Sequence, residues 1–336
     1  MSLRRMAELG RLMRAASQLE VLRAGLDAGL FAALAEPRSA EELAESLGLA
    51  PDLCAAWLRA ASASGFVERR AGRYQRGPLA SWLVAAPDGQ AAHAMLDQAA
   101  LSYRPVLTKL PALLRGEPRP RWGGGEEAAR VARGSRLFER RALAALAGVP
   151  GVRRSRRILD VGCGEGSMLA ALLARYRDAL GLGVEREPHL AELARQRLRE
   201  AEVHRRAEIW SGDVMRDELP AGDWDLALLN QVLHYWPDEE RDLLFARIAK
   251  RLAPGGVLAI QTPVVQDGAL ARMTGMAASG ALFDLFLRAH ENLYGLPDPV
   301  DLQVRLRSAG FSRVGSVSIV PGGSLRYVWG ARGRAQ

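Results

Sequence analysis

Cysteine, lysine and long apolar runs are scarce in this chain of 336 residues. Its two cysteines, Cys54 and Cys163, cannot hold a metal ion by themselves, and no disulfide framework or metal site is implied. Lysine occurs only at Lys109 and Lys250, so the net charge of +8 rests almost wholly on arginine. The arginines spread along the chain, apart from Arg153, Arg154, Arg156 and Arg157. That distribution fits a solvated surface and GC-rich coding better than a nucleic-acid footprint. No uncharged stretch is long enough to cross a bilayer. Arg4, Arg5, Glu8, Arg11 and Arg14 interrupt the apolar core that a signal peptide needs, so a cytoplasmic location without membrane attachment is expected. What remains is ordinary globular composition, 49% hydrophobic and 25% charged, which excludes a disordered or fibrous chain.

The N-terminal third reads as mainly helical. Leu19, Leu22, Leu26, Leu30 and Leu34 recur at spacings of three and four, which predicts one core-facing helix over 18–35. Ser39 followed by Glu42 is a capping box that opens a short helix to Leu47, Gly48 ends it, and Pro51 opens the next, to about Ser64. Phe66–Arg69 and Arg73–Arg76 flank Ala71-Gly72 as two strands of a small hairpin. This order of elements is that of a winged helix, predicted over residues 1–100. DNA binding does not follow, because the helix from Pro51 carries one arginine, Arg59, where a reader of phosphates and base edges needs more basic and amide groups.

Between residues 101 and 135, Pro105, Pro111, Pro118, Pro120 and Gly123-Gly-Gly125 break up helical pieces, which predicts a helical, flexible connector over 101–150. From residue 151 to 336, β-rich runs alternate with helices: Ile158–Val161, Leu180–Val184, Ala207–Trp210, Asp225–Asn230 and Val257–Thr262. Such alternation predicts an α/β fold with a parallel sheet covered on both faces. Phe311–Ile319 and Leu325–Gly330 lack an intervening helix and fit an antiparallel edge pair.

The densest chemical signal is Ile158-Leu-Asp-Val-Gly-Cys-Gly-Glu-Gly-Ser-Met-Leu169, a strand that runs through Asp160 into a turn with Gly162, Gly164 and Gly166. Glycines there let the backbone bend and approach a ligand at the start of the next helix, which suits a nucleoside cofactor. A dinucleotide fingerprint spaces its glycines differently and needs its last one where this chain has Ser167. Glu185, at the end of the second strand, can accept hydrogen bonds from two ribose hydroxyls and fits either cofactor. The third strand ends in Ser211-Gly-Asp213-Val-Met215, a carboxylate beside apolar groups able to sandwich a purine. The fourth ends in Asn230-Gln-Val-Leu-His-Tyr-Trp-Pro237, and Pro254-Gly-Gly256 turns the chain into the fifth.

In this order and spacing, these motifs resemble the class I S-adenosylmethionine-dependent methyltransferases. With the winged-helix N-terminus, the chain is similar to small-molecule O-methyltransferases of plant caffeate type and of bacterial secondary metabolism. The resemblance implies a Rossmann-like seven-stranded methyltransferase sheet, S-adenosyl-L-methionine as cofactor, a small-molecule acceptor, and a homodimer formed through the N-terminal domain. It places Gly162, Gly164 and Gly166 at the methionine part of the cofactor, Glu185 at the ribose, Asp213 and Val214 at the adenine, and Asn230 at a further contact, with Asp160 also among the cofactor-binding residues. It implies no metal.

Methyl transfer from a sulfonium is an in-line displacement on an activated carbon, so the protein mainly aligns donor and acceptor and removes water. His234 lies where these enzymes carry a catalytic histidine and is the candidate general base. It also fits as a core group beside Tyr235 and Trp236. The family has an aspartate where Tyr235 stands, and acidic residues near Gln261 and Leu296; Glu291 or Asp298 would have to substitute. Proton transfer from a phenol near pKa 10 to a histidine near 6.5 is uphill by roughly 5 kcal/mol. Two routes therefore stay open: His234 as base for an acidified hydroxyl, or proximity alone for an enolate carbon or an amine. A dehydrogenase, a cofactor-binding protein without catalysis and a DNA-binding regulator are the rival readings. Met273, Met276, Phe283, Phe286, His290 and Tyr294 fall in the region that resembles the acceptor pocket, although methionine and phenylalanine at helical spacing are also ordinary core.

Overall fold

The computed structural model describes residues 2–265 and 276–333, with the side chains of residues 276 and 277 left out. The chain divides into two compact units, Met1–Asp97 and Gln98–Gln336. Residues 101–150, expected as a connector, fall within the second unit. The helix Glu139–Leu146 shows why: Ala142 and Leu146 are completely buried in the main core, so this stretch carries its own apolar face.

In the first unit the opening helix runs from Leu3 to Asp27 and does not continue to residue 35. Gly29 adopts a left-handed conformation (φ 69°), breaks the helix, and a separate turn follows over Leu30–Ala33. Leu22, Leu30 and Leu34 are buried as the leucine spacing requires. The predicted capping box is present: Glu42 N–H donates to Ser39 Oγ (3.2 Å) and Ser39 N–H donates to Glu42 Oε2 (2.9 Å). The helix Pro51–Ala63 buries Cys54, Leu58 and Ala61 and sets Trp57 edge-on to Phe31. Strands β1 (Val67–Arg70) and β2 (Arg73–Arg76) pair antiparallel as the wing.

The second unit is built on seven strands: β3 (Arg157–Val161), β4 (Leu180–Glu185), β5 (Ala207–Ser211), β6 (Trp224–Asn230), β7 (Leu252–Pro263), β8 (Phe311–Ser318) and β9 (Leu325–Arg332). Their order in the sheet is β5-β4-β3-β6-β7-β9-β8, parallel except for the pairings of β9 with β7 and β8. Alternate residues of β3 serve opposite cores. Ile158 packs with the helices Glu139–Leu146, Ser167–Arg175 and Pro188–Glu200, whereas Leu159 and Val161 pack with Asp238–Ala249 and Pro299–Ser308. Burial on both faces explains why these strands are continuously apolar.

The chain leaves β3 toward β4 on one side and returns to β6 on the other. The carboxyl ends of β3 and β6 therefore flank the switch point at which open α/β sheets bind ligands. Asp160 and Asn230, read from sequence as site residues, stand at those two ends.

Candidate active site

A cavity of about 430 Å³ opens at this switch point. Its floor is the glycine turn. Gly162, Gly164 and Gly166 have φ of 71°, 56° and 73°, a conformation that side-chain-bearing residues rarely hold. The N–H groups of Gly162 and Cys163 donate to Val184 O (2.8 and 3.1 Å), which ties the turn across to β4. A Cβ on Gly162 would lie 2.9 Å from Val232 Cγ1, so the turn and the loop after β6 approach closely because no side chain intervenes.

Three buried carboxylates line the cavity, Asp160, Glu185 and Glu165, the last paired with Arg197. Glu185 accepts hydrogen bonds from Gly164 N–H (Oε2, 2.9 Å) and Glu187 N–H (Oε1, 2.9 Å), and each oxygen keeps a lone pair for a hydroxyl. Burial raises its pKa, against the lowering by its backbone donors. Asp160 is 1% exposed and its Oδ1 accepts from Asn230 Nδ2 (3.2 Å). Burial, opposed by that hydrogen bond and reinforced by the charges of Glu185 and Glu139, raises its pKa to about 7. Such a wall would repel a pyrophosphate and suits a cationic ligand.

At the end of β5, Asp213 Oδ1 accepts from Met215 N–H (2.8 Å), and the turn presents Asp213 and buried Val214 to the same cavity. The cofactor-side residues read from sequence, Asp160, Gly162, Gly164, Glu185, Asp213, Val214 and Asn230, all line this one space. Gly166 stands one step behind, packed on Ala194.

His234 is placed differently. Its ring is buried against Tyr235 (4.6 Å between centroids) and edge-on to Phe283 (5.8 Å), and Tyr235, not His234, borders the cavity. Burial, with the positive charge of Arg241 adding to it, pushes the His234 pKa down to about 3. Its backbone carbonyl accepts from Tyr294 N–H (2.8 Å), while buried Arg241 donates to Trp236 O and Gly295 O (both 3.1 Å) and stitches the two flanking loops together. The two acids considered as its partners, and the two non-acidic residues at the family's positions, are engaged elsewhere. Glu291 pairs with Arg121, Asp298 caps the helix Pro299–Ser308, Gln261 accepts from Tyr327, and Leu296 packs in an aromatic cluster.

Of the residues read as an acceptor pocket, Tyr294 borders the cavity, whereas Phe286 and His290 are buried and Phe283 is partly buried in the cluster behind it. Met273 and the side chain of Met276 lie outside the described residues.

Three contributors escaped the sequence reading. Tyr327, on β9, places its hydroxyl 3.2 Å from both Asn230 Oδ1 and Gln261 Oε1. Trp122 and its neighbours Arg121, Gly123 and Gly124 line the cavity, and Asn292 holds the Trp122 backbone. No local motif announces Tyr327, Trp122 or Asn292; Tyr327 and Trp122 are bonded to partners more than 60 positions away.

The arrangement defines a nucleoside-binding α/β enzyme with a bare glycine turn, acidic cavity walls and a third strand ending in Asp213. Residues 158–256 match the methyltransferase domain model, and residues 10–86 match the O-methyltransferase dimerisation domain. The 3-hydroxy-5-methyl-1-naphthoate 3-O-methyltransferase of Streptomyces sahachiroi is 31% identical over 261 residues, 74% of each chain. The chain belongs to the S-adenosylmethionine-dependent O-methyltransferase family, with S-adenosylmethionine as its cofactor. Its fold is that of an O-methyltransferase family protein from Burkholderia thailandensis (TM-score 0.79, 22% identity, 98% and 99% of the two chains). The human N-acetylserotonin methyltransferase in complex with S-adenosylmethionine is equally similar in fold (TM-score 0.79, 19% identity, 99% of each chain). Among the described residues no helix is long and apolar enough to cross a membrane.

The cavity fits this cofactor. Its sulfonium and ammonium charges suit a wall that holds Asp160 and Glu185, and a backbone turn free of side chains leaves room for the methionine tail.

Proposed function

We propose that this enzyme transfers the methyl group of S-adenosylmethionine to a hydroxyl of an aromatic or polyketide-like small molecule. The relative that acts on a hydroxynaphthoate and the aromatic residues Trp122, Tyr235 and Tyr294 on the cavity wall support this reading. Asp160, Gly162, Gly164 and Gly166 would hold the methionine part, Glu185 the ribose, Asp213 and Val214 the adenine, with Asn230 behind Asp160. The cofactor supplies an activated methyl carbon; the chain orients donor and acceptor and excludes water.

For the proton, the sequence nominates His234 as base. Its burial supports a route without a base, in which alignment and desolvation alone serve the acceptor, here extended from the enolate carbon or amine to a hydroxyl that arrives acidified. A phenol near 10 and an imidazole near 3 leave full transfer uphill by roughly 9–10 kcal/mol. In this reading His234 packs the loop that carries Tyr235.

The N-terminal unit is proposed to pair two chains. Its match to a dimerisation domain and the exposed Leu3, Met6, Leu9, Leu12 and Met13 on its first helix support a homodimer. Nucleic acid and membrane are not proposed as partners, and a cytoplasmic location is proposed.

Titration with S-adenosylmethionine, S-adenosylhomocysteine and NAD tests the cofactor side, with binding expected for the first two only. Incubation of 3-hydroxy-5-methyl-1-naphthoate and related hydroxyarenes with methyl-labelled donor, read by mass spectrometry, tests the acceptor. Label on carbon or nitrogen, or on none of the panel, would overturn the acceptor reading.

A further inference from the structure

The segment Arg121–Gly124 was expected to be a flexible junction, yet it is fixed at several points. The Asn292 side chain grips the Trp122 backbone in both directions: its Oδ1 accepts from Trp122 N–H (2.6 Å) and its Nδ2 donates to Trp122 O (3.1 Å). Next to this clamp, Glu291 N–H donates to Pro120 O (3.0 Å) and Glu291 pairs with Arg121 (3.0 Å). On the other side Gly123 N–H donates to Glu127 Oε2 (3.3 Å).

The clamp decides where one large ring goes. The Trp122 indole is 9% exposed and stands edge-on to Phe286 and His290, each with centroids 5.4 Å away and planes close to perpendicular. Trp122 lines the cavity, as does Tyr235. Trp122 and Tyr235 thus face the same space as Asp160 and the glycine turn, while the rings behind prevent Trp122 from turning away. A large aromatic side chain on the wall of the cavity proposed to hold the methyl donor would recognise a flat ring by stacking and offer little to a short aliphatic chain.

The geometry points to Trp122 as a specificity-determining wall of the acceptor site that selects planar aromatic acceptors, with Asn292 as the positioning residue that fixes it. This inference rests on the proposed methyl transfer to an aromatic hydroxyl.

The test uses the full-length protein loaded with S-adenosylhomocysteine and titrated with 3-hydroxy-5-methyl-1-naphthoate by calorimetry. Trp122→Ala is expected to weaken naphthoate binding at least tenfold and to change S-adenosylhomocysteine affinity less than threefold. Trp122→Phe, which keeps an aromatic face, should stay within threefold of wild type for both and serves where Trp122→Ala does not fold. Asn292→Ala should raise the acceptor KM with kcat held within twofold, and Asn292→Asp, which keeps the bond from Trp122 N–H, should recover part of the loss. Asn292→Ala added to Trp122→Ala should cost nothing further, because Asn292 acts through the indole.

Unchanged naphthoate affinity in Trp122→Ala overturns the inference. So do a parallel fall in S-adenosylhomocysteine affinity, loss of naphthoate binding in Trp122→Phe, and an Asn292→Ala effect on kcat alone. If wild type neither binds nor methylates any hydroxyarene, the reading of the acceptor fails and this inference with it. Wild-type turnover with an indifferent Trp122→Ala overturns the inference alone.

Discussion

The Tyr327 hydroxyl lies 3.2 Å from Asn230 Oδ1 and, at the same distance, from Gln261 Oε1. It has one proton for two acceptors. Asn230 in turn directs its Nδ2 to Asp160, so a residue of the antiparallel strand β9 orients a polar chain that ends at the cofactor cavity. Burial raises the pKa of Tyr327, which keeps its proton at any physiological pH.

Tyr327→Phe should therefore remove an orienting bond and leave buried acceptors short of a donor. The expected cost is about 1–3 kcal/mol in denaturant unfolding. S-adenosylmethionine affinity is expected to drop roughly three- to tenfold, equivalent to about 0.7–1.4 kcal/mol, as the Asn230 amide becomes free to turn. A calorimetric change below twofold would show that Asn230 needs no such support.

Asp160 gives the ligand-free protein a pH signature. Its pKa in the fold, about 7, exceeds that of an unfolded aspartate near 3.9, so between those values the folded chain binds the extra proton. Stability from this group is complete below about pH 4 and is lost as pH rises to about 7 and beyond. Asp160→Asn should flatten that slope and raise stability at pH 8 by on the order of 1–3 kcal/mol, while weakening binding of the cationic cofactor. Parallel unfolding curves for wild type and variant across pH 4–8 would refute the assignment.

His234 decides the proton route. If it is a packing group, His234→Gln lowers kcat less than about tenfold, whereas removal of a general base costs 10²- to 10⁴-fold. The pKa of about 3 adds a second readout. The unfolded histidine binds a proton that the folded one refuses, so its contribution is whole above about pH 6.5 and declines as pH falls toward 3. His234→Gln should remove that acid-side slope whatever it does to turnover.

Much of this protein is legible along the chain because local periodicity has local causes. The Ser39–Glu42 capping box, the left-handed Gly48, the hairpin around Ala71-Gly72 and the alternation of strand and helix from residue 157 all form as their sequences dictate. The glycine turn, Glu185 and Asp213 were readable for the same reason: each sits at the carboxyl end of a recognisable strand, and parallel topology brings those ends together.

What the chain alone misjudged depended on burial or on distant partners. Residues 18–35 carry one continuous leucine pattern, but Gly29 breaks the helix where φ turns positive. Pro118, Pro120 and the three glycines after Trp122 carry the composition of a linker, yet Arg121–Gly124 line the cavity, and Asn292, 170 positions away, holds the Trp122 backbone there. His234 has the position of a base; the aromatic rings around it determine that it is dry, uncharged and turned from the cavity. The sequence by itself determined the fold, which follows from periodicity and strand order, and its motifs carried the resemblance that implied the cofactor. Tertiary packing decided which titratable groups keep their protons and which side chains reach the ligand, because both depend on what surrounds a group in space.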